Sequence, residues 1–125
     1  MIKPHLDKER NLTTYLCSGQ VTMDEIREQL LAFYGGRPTL NTIWDYSEAD
    51  VSALSRDDIE NIAKFVKTAA HSRDGGKTAL VFPPAMLMNM GPLLEGISEI
   101  EVPDAKIKIH QDIQAALDWI ADPGA

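Results

Sequence analysis

Residues 12–36 read LTTYLCSGQVTMDEIREQLLAFYGG, and two hydrophobic periods meet inside this one stretch. From Leu12 to Ser18 the side chains alternate, with Leu12, Thr14 and Leu16 on one face and Thr13, Tyr15 and Cys17 on the other, the period of a β-strand that Gly19 is expected to close. At Thr22 the period changes. Thr22 followed three residues later by Glu25 is a capping box, and Val21 with Ile26 occupy the positions of a hydrophobic staple. Met23, Ile26, Leu30 and Phe33 then recur along one helical face until Gly35-Gly36 stops it. A strand feeding a capped helix is half of a βαβ unit.

The unit recurs downstream. Leu40 to Tyr46 is rich in β-formers, and Ser55 with Asp58 repeats the helix-start signal while Leu54 and Ile59 repeat the staple. Ile59, Ile62, Ala63, Val66 and Ala70 line the buried face of that second helix, which Asp74-Gly75-Gly76 ends before an apolar strand from Thr78 to Phe82. Residues 83–100 are apolar and helical in character, with a kink or restart expected at Gly91-Pro92 because proline removes a backbone donor and clashes with the preceding turn. Lys106 to His110 alternates as a strand with one wet face, and Ile113, Ala116, Leu117 and Ile120 form a last amphipathic helix, stopped by Asp122-Pro123-Gly124. Ile2 to Asp7 is expected to pair antiparallel with the first strand across the Lys8–Asn11 turn. The expected fold is therefore α/β: a single domain over residues 1–125, with a mixed sheet of about five strands, mostly parallel, covered by about four helices.

Composition narrows the function. An apolar fraction of 44% with 25% charged residues is an ordinary globular balance. The net charge of -7 has no offsetting run of Lys and Arg, which argues against nucleic acid or an anionic lipid surface as partner. The N-terminal MIKPHLDKER has no continuous apolar core of signal-peptide length and no later stretch reaches the roughly 20 apolar residues of a membrane span, so no integral membrane segment is expected and the cytoplasm is the expected compartment. Cys17 is the one cysteine, which rules out an internal disulfide and reads as a small buried hydrophobe.

Reaction chemistry is sparse. Gly35-Gly36 and Gly75-Gly76 follow helices, the wrong context for a phosphate loop, and His5, His71 and His110 fall on separate elements without metal-ligand spacing. Asp24-Glu25 and Asp57-Asp58 sit in first helical turns, where capping and the helix dipole account for them. No catalytic residue, metal or cofactor is assigned, and a non-enzymatic role is expected.

In an open α/β sheet, partners gather beyond the carboxyl ends of the parallel strands, which selects residues 19–22, 45–55 and 82–85. The second is the longest of these loops, and its Asp45, Ser47, Ser52 and Ser55 make a candidate regulatory or partner-binding loop. A phosphate on Ser52 or Ser55 would add roughly 1.5 to 2 negative charges beside free helix amides.

Around this loop the chain resembles a known group. IWDYSEADVSALS (43–55), following the strand-Gly-helix unit LCSGQVTMDEI (16–26), is similar to the STAS domains typified by anti-anti-sigma factors, and more closely to the bacterial SpoIIAA-like family of short stand-alone proteins. The resemblance continues through GKTALVFP (76–83) and DIQAALDWI (112–120). It implies a fold shared with CRAL-TRIO lipid-binding domains and with STAS regulators that bind partner proteins. STAS regulators carry a phosphorylatable serine in an Asp-Ser-Ser-Gly-Leu motif at the corresponding helix start. Ser55 lies nearest that position, flanked here by Leu54 and Arg56 without the motif's aspartate or glycine.

Met86, Met88 and Met90, with Trp44 and Phe82, form a candidate apolar pocket or interface, because flexible thioethers adapt to varied apolar surfaces. Two roles follow: a regulatory module that contacts another protein or forms a homodimer, or a carrier or sensor of a small apolar ligand or lipid. A cavity beside Trp44, Phe82 and Met86 is what the second role needs.

Overall fold

The computed structural model describes residues 1–69, 73–100 and 105–124. In chain order the elements are β1 (Ile2–Asp7), β2 (Leu12–Gln20), α1 (Met23–Gly35), β3 (Asn41–Asp50), α2 (Arg56–Ala69), β4 (Gly76–Val81), α3 (Pro84–Leu87), α4 (Gly91–Ser98), β5 (Ala105–His110) and α5 (Ile113–Ala121). The strands form one sheet in the order β1-β2-β3-β4-β5, with β1 antiparallel to β2 and the other neighbours parallel.

Local chemistry explains the boundaries. The Thr22 hydroxyl accepts from the Glu25 amide while the Glu25 carboxylate accepts from the Thr22 amide, completing the box expected for α1. Ser55 and Asp58 exchange the same pair of bonds at 3.1 and 2.9 Å to open α2. Asp112 caps α5 through the Ala115 amide at 2.8 Å. The apolar segment after β4 does break, as the proline requires, into α3 and α4, which brings the described helices to five where about four were expected. Asn11 turns the β1–β2 hairpin at φ 51, and its carboxamide and carbonyl oxygens accept from the amides of Leu40 and Asn41.

Three strand boundaries differ most from the sequence reading. Gly19 does not end β2: at φ 65 it carries the strand on after a bulge between Leu16 and Ser18, and pairing resumes as Ser18 with Glu48, Gly19 with Ala49 and Gln20 with Asp50. That extension holds β3 in register to Asp50. Asp45 and Ser47 are therefore strand residues, and the connection before α2 shortens to residues 51–55. Gly76, read as part of a helix stop, begins β4. A Cβ there would collide with the carbonyl oxygen of Leu40 and lie 2.8 Å from that of Arg73, so glycine lets the strand start against this backbone. Ala70 and His71 lie outside the described residues.

The strand order places the helices. Each parallel step moves one strand further in the same direction, and right-handed crossovers repeated in one direction lay their helices on one face. Thus Ile26 and Leu30 of α1, Ile59 of α2 and Ile97 of α4 pack with Tyr15, Trp44, Tyr46 and Phe82. Among the described residues only α5, after the last strand, covers the other face, against Leu12, Ile43, Ala79 and Val81. Lys77 ties α5 down: its buried ammonium donates to the carbonyls of Trp119 and Asp122 and lies 5.3 Å from the Trp119 ring centroid.

Candidate functional site

A sheet wound in one direction has no point where neighbouring helices part to opposite faces, so it lacks the strand-end crevice typical of doubly wound folds. The concavity lies instead within the helical face. A cavity of about 100 Å³ sits between the sheet and helices α1, α2 and α4. Trp44, Tyr46, Leu80 and Phe82 form its floor, Ile26 and Leu30 one wall, Ile59, Ile62, Ala63 and Val66 its roof from α2, and Met90, Leu93 and Ile97 the far wall.

Aromatic pairs stiffen the floor. Tyr15 stacks on Trp44 with centroids 4.0 Å apart, and Tyr46 stacks on Phe82 at 4.9 Å. Burial pushes the Tyr15 phenol up to about 12; the neighbouring Tyr34 adds to this and Arg73 opposes it, so Tyr15 stays a neutral donor. Burial also raises the Tyr46 phenol, with Cys17 contributing. The Cys17 thiol is pushed up to about 12, first by burial and then by the Asp45 carboxylate, and its contact is a long one to the Tyr15 carbonyl at 3.9 Å. It behaves as a packed hydrophobe.

One end of the cavity is polar. Arg73, 2% exposed, donates from Nε to the Leu40 carbonyl at 3.0 Å, from Nη1 to the Tyr34 hydroxyl at 3.1 Å, and from Nη2 to the Lys77 carbonyl at 2.9 Å and the Thr42 hydroxyl at 3.5 Å. Its guanidinium carbon lies 5.5 Å from the Phe33 ring centroid. Thr42 and Thr78 share a hydrogen bond of 3.0 Å across β3 and β4. Phe33, Tyr34, Thr42, Arg73 and Thr78 all line the cavity. Sequence reasoning missed Arg73, because a basic residue ahead of Asp74-Gly75-Gly76 has the composition of a solvated turn. The available signal was its place one turn ahead of a strand buried on both faces.

The residues singled out from sequence are distributed as follows. Trp44, Phe82 and Met90 line the cavity, and Met90 is 4% exposed. Met86 packs half-buried against the same core without reaching the lining, while Met88 is 85% exposed. Ser47, in β3, and Ser52 and Ser55, in the loop after it, each engage an aspartate. The Ser47 amide donates to Asp45 at 2.9 Å and its hydroxyl to the same oxygen; the Ser52 amide donates to Asp50 at 2.9 Å; Ser55 caps α2. Hydrogen bonding from Ser52 holds the Asp50 carboxyl below its ordinary value. The three serines are exposed and do not converge on one point with the cavity.

Elsewhere, His110 at the end of β5 is 8% exposed, its Nε2 has no hydrogen-bond partner among the described residues, and its ring lies 5.2 Å from that of Trp119. Among the described residues no group of three or more His, Cys, Asp or Glu is placed to hold a metal ion. Among them, too, no helix is long and apolar enough to cross a membrane.

No family model matches the sequence, and no curated protein matches it. Solved structures do. An uncharacterised protein of the DUF3478 family with a SpoIIAA-like fold, from Shewanella loihica PV-4, superposes with a TM-score of 0.58 at 15% identity, over 97% of this chain and 93% of that one. The anti-sigma factor antagonist SpoIIAA in its unphosphorylated form superposes with a TM-score of 0.50 at 15% identity, over 96% and 97%. With five strands in mixed pairing, three crossover helical segments on one face and coverage of nearly the whole chain, this protein has the SpoIIAA-like fold.

Proposed function

We propose that this chain is a non-enzymatic regulatory module that responds to a small apolar ligand held between its sheet and helices α1, α2 and α4. The observation that carries this reading is the cavity beside Trp44 and Phe82. Interiors are normally packed with few voids larger than a water molecule, and a dry, Leu/Ile/Phe-lined cavity of roughly 150 Å³ is enough to bind benzene or xenon. The space here, about 100 Å³ and walled by aliphatic and aromatic side chains, is smaller than that benchmark, so a ring or short branched chain enters it with some outward movement of the helices.

The cavity favours a ligand over a methionine-lined dimer. Among the described residues the large exposed apolar side chains are Met1, Leu6, Leu16, Leu31 and Met88; Met1 and Leu16 border one groove, the others lie on separate segments, and none of the first four is near Met88 in the chain, so they make no methionine-lined patch. A route from ligand to partner runs through the cavity's roof. Arg56 on α2 reaches Glu95 at 3.5 Å and Glu99 at 2.9 Å on the α4 side, and Gly96 lies against Ile59. A ligand that spreads α2 from α4 would loosen these surface contacts and change the face shown to another protein, in proportion to its preference for the spread state.

Native mass spectrometry of freshly purified protein, followed by toluene titration of stripped protein with methyl NMR detection, tests this. The expected result is a low-mass adduct lost on denaturation and saturable shifts at Ile59, Leu80 and Ile97. Adduct-free protein whose methyl signals ignore toluene would contradict it.

A further inference from the structure

We propose that the ligand is a small carboxylate whose anionic end is bound by Arg73 and Tyr34 while its apolar body fills the space between Trp44, Ile59 and Leu80. This rests on the ligand-binding reading above and adds the chemistry of the head group.

Among the described residues, the polar end of the cavity holds more donors than it uses. A guanidinium is a permanent cation with donors and no acceptor. Arg73 spends its protons on the Leu40 and Lys77 carbonyls and on the hydroxyls of Tyr34 and Thr42, which leaves one Nη1–H without an acceptor among the described residues. Tyr34 accepts from Arg73, and its own hydroxyl proton has no acceptor among the described residues. In the Thr42–Thr78 pair one hydroxyl donates to the other, and whichever way that bond runs, one proton has no acceptor among the described residues. Three donors and a positive charge thus belong to residues that border the same space, and no carboxylate is among the described residues that line it.

Charge gives the same answer. No carboxylate among the described residues lies within ion-pair distance of Arg73, although it is 2% exposed. Neutral dipoles satisfy its geometry without cancelling its charge, and a buried cation gains most from an anion with two acceptor oxygens in a bidentate-capable plane. Neutral hydrocarbons would fill the apolar part and leave these donors unmatched, whereas a carboxylate matches both parts at once.

Calorimetric titration with phenylacetate, phenylacetamide and toluene at neutral pH tests the assignment. Phenylacetate is expected to bind about tenfold or more tightly than the amide, as charge-assisted hydrogen bonds do relative to neutral ones. Tyr34→Phe keeps the ring that packs on Phe33 at 4.9 Å, and should weaken phenylacetate several-fold while leaving toluene unchanged. Arg73→Met should abolish the preference for acid over amide, and the tyrosine variant carries the test if that protein does not fold. Equal affinity for acid and amide in the native protein overturns the carboxylate assignment and leaves the apolar site standing. Binding of none of the three, toluene included, overturns both.

Discussion

At the scale of single residues, the buried polar side chains say most about this fold. Arg73 and Lys77 lie four positions apart and are spent at opposite faces of the sheet, one beneath the helices beside Tyr34 and the other at the end of α5. Neither was legible in the sequence, since Lys and Arg are almost always solvated and periodicity arguments count them as polar face. Cys17 was legible: alternation put it on the face of Tyr15, where burial keeps it a thiol. His110 gives a residue-scale prediction. Burial lowers its pKa below the ordinary 6.5, Lys108 adds to the effect and Asp112 opposes it. The unfolded chain therefore takes up this proton at higher pH than the folded one. The stabilisation it contributes is full above the ordinary value and declines as pH falls through it toward the folded value. Urea titrations of the native protein and His110→Phe are expected to show the difference between them growing in the variant's favour from about pH 7 to about pH 5. A difference independent of pH would place the native imidazole in water.

At the scale of elements, the caps were the most readable part of the sequence, because a capping box is a local bargain between residues three apart that needs no knowledge of the fold. Both boxes form with the residues named for them. The end of β3 was not readable. Its extension to Asp50 depends on a bulge in a neighbouring strand, and the polar run SEAD has the composition of a loop. The consequence for Ser55 is concrete. Its hydroxyl caps the Asp58 amide at 3.1 Å, so Ser55→Ala is expected to lower stability by about 1 kcal/mol, while Ser55→Asp, which also caps, should cost only a few tenths. Chemical denaturation measures both. A loss for Ser55→Asp as large as for Ser55→Ala would mean that something other than capping holds the start of α2.

At the scale of the whole molecule, α/β class and element order followed from the alternation of periods, since strands joined by helices have few ways to pair, and the antiparallel β1 followed from the short turn between it and β2. Where the cavity lies did not follow. The strand-end rule pointed to loop tips, but it presumes helices parting to opposite faces, and here three crossovers stack on one face and α5 alone takes the other. Of the residues named from sequence for a pocket, Trp44, Phe82 and Met90 line the cavity, while Met88 turns outward at the break between α3 and α4. The central claim, an apolar space under α2 and α4 that a ligand can enter, is tested most directly by diffraction from crystals held under xenon gas, comparing the native protein with Ala63→Leu, whose added carbons occupy the roof of the cavity. Xenon is expected between Trp44, Ile59 and Leu80 in the native protein and absent from the variant. Native crystals with no xenon there and the side chains closed together would contradict it.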